Sequence, residues 1–283
     1  MTAPAASVRQ MFAAEIGRPD AEMNLARAAL LIAKEEYPQL SVELYLARLD
    51  QMAEEVRDLL DDETAPLVVL DELLRMLYER RSFSGNREAY YDPRNSLLND
   101  VLDRSTGIPL TLAIVLLEVG WRLRLPVEGV NFPSHFLVRF RGDAFDLLID
   151  PFESGLKLFP DQAQELLDRL YGGMVRVQES FLRTASKRDI ITRLLINLKG
   201  VYINVRDDVR ALAVVERLLL LRPDAADEAR ARGMLLARLG RKAEAADQLE
   251  AYLTAQPAAS DATRVRSMVR QLRREVAERA GEG

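Results

Sequence analysis

The chain has 283 residues, with 39 Lys and Arg against 44 Asp and Glu for a net charge of −5, and 48% of its residues are hydrophobic, enough for a sizeable core in one or two domains. The acidic balance argues against nucleic-acid binding. Zero cysteines exclude disulfides, thiolate metal sites and thiol catalysis, and a single histidine excludes a multi-histidine zinc site, so no metal and no cofactor is expected. The first fifteen residues include Arg9 and Glu15 and lack an apolar run of signal-peptide length, so a cytoplasmic location without membrane association is expected.

Residues 1–85 are expected to form an N-terminal helical portion of the core domain. Leu25, Ala28, Ala29, Ile32 and Ala33 recur at helical spacing until Tyr37-Pro38 stops the pattern. Ser41 is an N-cap with Glu43 behind it, for a helix reaching about Leu60. A break over Asp62 to Pro66 follows, and Pro66 opens a helix carrying Leu67, Leu70, Leu73, Leu74 and Leu77. These stripes read as core faces.

The middle of the chain, residues 86–180, holds the informative stretches. After a loop at Ser82 to Asn86, Asp92-Pro93 is a turn opener, and Ser96 to Leu102 a short amphipathic helix. Arg94, Asn95 and Asn99 are more polar than a connector requires; they either cap the backbone or line a pocket at the start of the next helix. That helix begins at Pro109, where the missing N–H costs nothing. Its ten residues from Ile108 to Leu117 carry one hydroxyl, Thr111, and no charge. A helix apolar all round belongs at the centre of a domain, and ten residues are too few for a bilayer, which needs about 20.

The period then changes. Pro126 to Phe132 reads as a strand and Pro133-Ser134 as a turn. His135 to Phe140 and Phe145 to Asp150 read as a hairpin, with Gly142 and Asp143 at the centre of a primed two-residue turn. That register opposes Phe136 to Ile149, Val138 to Leu147 and Phe140 to Phe145 on a wholly apolar face. On the other face it opposes Leu137 to Leu148, Arg139 to Asp146 and His135 to Asp150. Opposed Cβ atoms lie about 4.5–5.5 Å apart, so Asp150 can hold His135 in one tautomer, the back half of a nucleophilic triad. The alternative is a purely structural His–Asp pair. Arg141-Gly142-Asp143 matches an integrin-binding tripeptide, which in a hairpin turn reads as chance.

The stretches Asp92-Pro93-Arg94-Asn95-Ser96, Gly107-Ile108-Pro109, Phe132 to Arg139 and Ile149-Asp150-Pro151-Phe152, in this order, resemble the SirB family of bacterial transglutaminase-like proteins over residues 20–180. The resemblance implies an α+β, papain/transglutaminase-like core over residues 86–180, a central helix packed on a small antiparallel sheet. In active members of that superfamily a cysteine starts the central helix, and a histidine and an aspartate follow on adjacent strands. Carried over, these fall on Pro109, His135 and Asp150, a triad degenerate at its nucleophile. Ser134 stands where relatives have glycine, a departure that bears on the turn before His135. Thr111 is the nearest hydroxyl inside the helix, and Ser105 and Thr106 before it read as capping residues.

Pro160-Asp161-Gln162 starts a helix over Ala163 to Tyr171 that Gly172-Gly173 ends. Residues 190–280 then repeat: Pro223 and Pro257, and Ala211 and Ala245, stand 34 residues apart. The period resembles tetratricopeptide repeats, with units 192–225 and 226–259 and a capping helix over 260–279. The first helix of each unit carries Asn197, Tyr202, Asn204, Arg230 and Arg238, a polar, net-positive face that either binds an acidic peptide or merely extends the core. Two functions follow. One is a non-catalytic binding or scaffold protein with a protein or peptide partner. The other is a hydrolase or acyltransferase in which a hydroxyl or water, activated by His135 and Asp150, replaces the thiol.

Overall fold

The computed structural model describes residues 3–61 and 64–281. The chain divides into two compact units, Met1–Leu194 and Leu195–Gly283, so the helical segment expected over residues 1–85 and the core expected over residues 86–180 fall in one unit. Four helices open it: α1 (Ala3–Ile16), α2 (Leu25–Glu36), α3 (Val42–Arg57) and α4 (Pro66–Arg75). Their starts follow local chemistry. The Asn24 side chain accepts from Arg27 N at 2.8 Å, Ser41 accepts from Leu44 N at 3.4 Å, and Pro66 stands at N1. Within the break expected before Pro66, Asp62 and Glu63 lie outside the described residues. Met76–Arg80 continues α4 as a π-helical turn.

After α5 (Leu98–Arg104) comes α6 (Pro109–Arg122), and every residue from Pro109 to Gly120 is buried. It is packed by α2, α3, α4 and α5 and by the strands β3 (Val127–Val130) and β4 (Leu137–Arg141). A buried Leu, Ile or Val side chain contributes about 1.5–3 kcal/mol, and Leu112, Ile114, Val115, Leu116, Leu117 and Val119 are each no more than 2% exposed. Two polar side chains share this environment. Thr111 donates to the Asn95 carbonyl at 2.7 Å and accepts from Ile108 N at 3.1 Å. Glu118 accepts from Ala26 N at 2.8 Å and pairs with Arg122 at 2.5 Å, which also reaches Asp50 at 2.6 Å. A short parallel pair, β1 (Ser84–Gly85) with β2 (Thr106–Gly107), leads the chain into α6.

The main sheet has five antiparallel strands in the order β6 (Leu156–Leu158), β5 (Asp146–Asp150), β4, β3 and β7 (Thr184–Ala185). Ala163, Leu166 and Leu167 of α7 (Ala163–Tyr171) close over Val130, Leu137 and Leu148. The faces alternate as the sequence predicts, but the register differs by two residues: Val138 opposes Ile149, Phe140 opposes Leu147 and Arg141 opposes Asp146. A primed two-residue turn needs positive φ, and no residue from Gly142 to Phe145 has it. These four residues form a wider loop closed by Gly142 N–H to the Phe145 carbonyl at 3.2 Å, an approach so tight that a Cβ on Gly142 would lie 2.4 Å from that oxygen. Phe145 is therefore 45% exposed instead of facing Phe140. Arg139 pairs with Glu128 on β3 at 2.9 Å, and Asp146 pairs with Arg141 at 2.8 Å.

The helix α8 (Lys187–Asn204) starts in the first unit with a reciprocal cap: Asp189 N donates to Ser186 Oγ at 3.1 Å and Ser186 N to Asp189 Oδ2 at 3.0 Å. Asp20 adds its carboxylate, accepting from Lys187 N at 3.2 Å and Arg188 N at 3.1 Å. The second unit continues through α9 (Asp208–Leu221), α10 (Ala226–Arg238), α11 (Lys242–Ala255) and α12 (Ala262–Gly281). Gly233 lets α10 press on α11, because a Cβ there would stand 2.6 Å from Leu249.

Glu118 is expected to be the most sensitive polar residue of the central helix. Glu118→Ala strands the Ala26 N–H and half of the Arg122 pairing, a loss of about 3 kcal/mol. Glu118→Gln, which keeps an acceptor, should lose about half as much. Urea unfolding of the three proteins checks this, and a Glu118→Ala loss below about 1 kcal/mol would contradict it.

Candidate functional site

The turn before β4 determines where the histidine sits. Ser134 has φ of +53°, the left-handed conformation that glycine adopts without cost, and His135 N donates to the Phe132 carbonyl at 3.1 Å. Tyr171 of α7 meets Ser134 Oγ at 2.6 Å. Arg193 of α8 donates to the Phe132 carbonyl at 3.0 Å and to Asn131 Oδ1, with its guanidinium 5.6 Å from the Phe136 ring centroid. No carboxylate faces that guanidinium among the described residues, and burial pulls it below its usual pKa.

Asp150 ends β5 with no exposed surface. Its Oδ1 accepts from Phe152 N at 2.9 Å and Glu153 N at 3.3 Å, and lies 2.8 Å from His135 Nε2. His135 and Asp150 are thus bonded although, in the observed register, Leu137 stands beside Val130 on one side and the β5 residues slip by two on the other. They are diagonal neighbours on one face, within reach of a ring. A carboxylate only accepts, so Nε2 carries a proton toward Asp150, and in the tautomer that has this proton alone Nδ1 is the lone-pair atom. Among the described residues Asp150 is the one hydrogen-bond partner of the His135 ring.

The dyad opens onto a cleft of about 400 Å³ shared with Pro109, the first residue of α6. One wall is a file of edge-to-face aromatic contacts, Tyr90 to Phe152 at 6.2 Å and Phe152 to His135 at 6.1 Å, and Tyr91, outside the lining, meets Tyr90 at 5.4 Å. The other wall comes from α7, where Leu166, Arg169 and Leu170 share a face at helical spacing. Arg87 and Glu153 pair across the mouth at 2.5 Å. Burial pushes the Tyr90 hydroxyl above its usual range, so it stays a neutral phenol. Among the described residues no group of three or more His, Cys, Asp or Glu side chains is arranged to hold a metal ion.

The structure distributes the sequence-predicted residues differently. Pro109, His135 and Asp150 share the cleft; Arg94, Asn95, Asn99 and Thr111 lie outside its lining. Arg94 is exposed and holds Asp92 at 2.7 Å. Asn95 is fully buried and donates to the Ala89 and Tyr90 carbonyls at 2.7 and 3.2 Å, so it shapes the backbone behind the cleft wall. Asn99 is buried, and Thr111 is committed to Asn95 and Ile108. On the repeats, Tyr202 is 1% exposed and lies under Arg210 instead of on an open face. Arg230 pairs with Asp261 at 2.5 Å and Arg238 with Asp208 at 2.9 Å, so neither offers a free positive charge; Asn204 is exposed and Asn197 half-buried. Arg87, Phe152, Glu153 and the α7 residues do not stand out from sequence as site residues. The spacing of Leu166, Arg169 and Leu170 marks a shared face, but not what it faces.

Comparison with known proteins follows the same division. A family profile described as "Transglutaminase-like superfamily" matches residues 43–196, and one described as "Tetratricopeptide repeat" matches residues 198–270. A UPF0162 protein of Xylella fastidiosa is 36% identical over 250 residues, 87% of this chain and 89% of the relative. A UPF0162 protein of Pseudomonas aeruginosa is 35% identical over 215 residues, 76% of this chain and 78% of the relative. F-box only protein 21 of Mus musculus is 39% identical over 117 residues, 37% of this chain and 19% of that protein.

The dyad is expected to behave as one energetic unit. Asp150→Ala frees the imidazole and two backbone N–H groups and should cost roughly 3 kcal/mol. His135→Ala in that background should cost less than it does alone, a coupling of about 1 kcal/mol or more. Additive losses in a double-mutant cycle would contradict the pairing.

Proposed function

The chain belongs to the transglutaminase-like superfamily and, within it, to the UPF0162 proteins, and from that premise we propose a non-catalytic, SirB-like member that binds a protein or peptide. One observation carries the reading: the first turn of α6 offers the cleft a proline ring where the superfamily places a thiol. Thiol chemistry is absent because the chain has no cysteine. Three hydroxyls nearby are otherwise engaged. Thr111 donates to the Asn95 carbonyl, Thr106 donates to the Arg104 carbonyl at 3.0 Å, and Ser134 meets Tyr171. A hydroxyl nucleophile needs its base within hydrogen-bonding reach, and no protein hydroxyl bonds His135 among the described residues.

In this reading the dyad is a structural fixture. It holds the cleft wall open and leaves Nδ1 as a recognition atom. The repeats, a class of module that mediates protein–protein interaction, supply a second surface. Since Arg230 and Arg238 are paired internally, any peptide there is recognised by other residues of the repeat.

Two measurements test the proposal. Peptide amides and activated esters incubated with the native chain and with His135→Ala should react at indistinguishable rates; a reproducible His135-dependent rate overturns it. Pro109→Cys restores a thiol at a helix N-terminus, where the dipole lowers thiol pKa. Being the chain's only cysteine, it should react with iodoacetamide at pH 7 about tenfold faster than a free thiol, and His135→Ala should remove most of that gain.

A further inference from the structure

Two guanidiniums and two carboxylates line the cleft, and one guanidinium has no partner among the described residues. Arg87 is bound to Glu153 at 2.5 Å, and Asp150 is bound to His135 at 2.8 Å. Arg169 is exposed on α7 and has no hydrogen bond or ion pair among the described residues, so its guanidinium is open to a ligand. The start of α6 adds to the same sign. Its N-cap is Ile108, which has no side-chain acceptor, and a helix N-terminus carries partial positive charge. His135 is only 6% exposed, yet its Nδ1 has no protein partner among the described residues and lies on a lining side chain. The rest of the lining is Leu166, Leu170, Phe152 and the Pro109 ring, with the hydroxyl-bearing Tyr90 and Ser134. A volume of about 400 Å³ stands near the small end of ligand pockets, roughly 300–1,000 Å³, and suits one or two residues instead of a long segment.

We infer that this cleft is a receptor for an apolar acylated amino acid carboxylate, either the free C-terminus of a polypeptide or a small molecule of the same chemistry. The carboxylate meets Arg169, the amide N–H beside it donates to Nδ1 of His135, and the side chain lies against Leu166, Leu170 and Phe152. A guanidinium is the side chain best matched to a carboxylate, through two parallel hydrogen bonds. The lone-pair nitrogen of a ring whose proton is held by Asp150 is an acceptor for one N–H. The inference rests on the binding reading above and names the ligand class for that site.

The single histidine makes the test direct, because its imidazole C–H protons give one assignable pair of proton resonances. The full chain is titrated with N-acetylleucine, N-acetylleucinamide and acetylated glycyl-glycyl-leucine bearing a free carboxylate. The acid should shift the His135 resonances saturably, and the amide should bind about tenfold more weakly. Arg169→Gln, an exposed position, should bring the acid down to the affinity of the amide without moving the melting temperature. Binding of the peptide as well as the acid assigns the site to a polypeptide C-terminus; binding of the acid alone assigns it to a small molecule, and both support the receptor. Equal affinity of acid and amide, an unaffected Arg169→Gln, or no shift with any probe overturns it while leaving the non-catalytic reading intact. Conversion of the amide to the acid, visible in the same spectra, would instead overturn that reading.

Discussion

A helix without a solvent-facing side allows no polar group whose partner the fold does not supply. That constraint governs α6, and the surrounding elements are arranged to satisfy it. Thr111 and Glu118 are its buried polar side chains, and each is spent on backbone from another region of the chain, the Asn95 carbonyl and the Ala26 N–H. These bonds fix how far the α2 and α5 regions stand from the central helix. Leaving either group unpaired would cost about 1–3 kcal/mol. The start of α6 is where the helix meets a cleft, through Pro109.

Much of this was legible from sequence because the relevant signals are local. Pro66 and Pro109 open helices, Ser41 caps one, and the α7 limits coincide with Ala163 and Tyr171. The hairpin register was not legible, for a physical reason. Side chains in a strand alternate with period two, so a slip of two residues leaves both faces chemically unchanged. The choice was made by the backbone conformation of the Gly142–Phe145 loop and by Glu128 on a third strand, neither of which alternation reports. The cleft walls were illegible for a different reason: they combine residues near positions 90, 109, 135, 150 and 170, whose proximity is tertiary. Asn95 and Thr111 looked like site residues because buried polar groups resemble functional ones until their partners are known.

The pairing of His135 with Asp150 sets the histidine and carboxylate of a triad beside a proline. Asp150 Oδ1 serves three partners, and two of them are backbone N–H groups of the turn that carries Phe152 and Glu153. Removing the carboxylate would disturb the aromatic wall of the cleft along with the imidazole. Asp150 thus has structural work of its own, and any ligand recognised at Nδ1 uses a group that this work already holds in place.

Asp20 has a consequence for how the protein is made. Its carboxylate receives the first N–H groups of α8 across a separation of 167 residues, and Lys187 Nζ returns to the Met23 carbonyl at 2.7 Å. The beginning and end of the first unit are thus tied directly together. During synthesis the helices around α6 emerge well before their last partner does, so the unit can collapse early but cannot close until residue 187 has left the ribosome. At typical elongation rates of about 5–20 residues per second, the chain spends several seconds with its apolar centre incompletely covered. A nascent chain stalled before that point would hold most of the core and lack the tie that completes it.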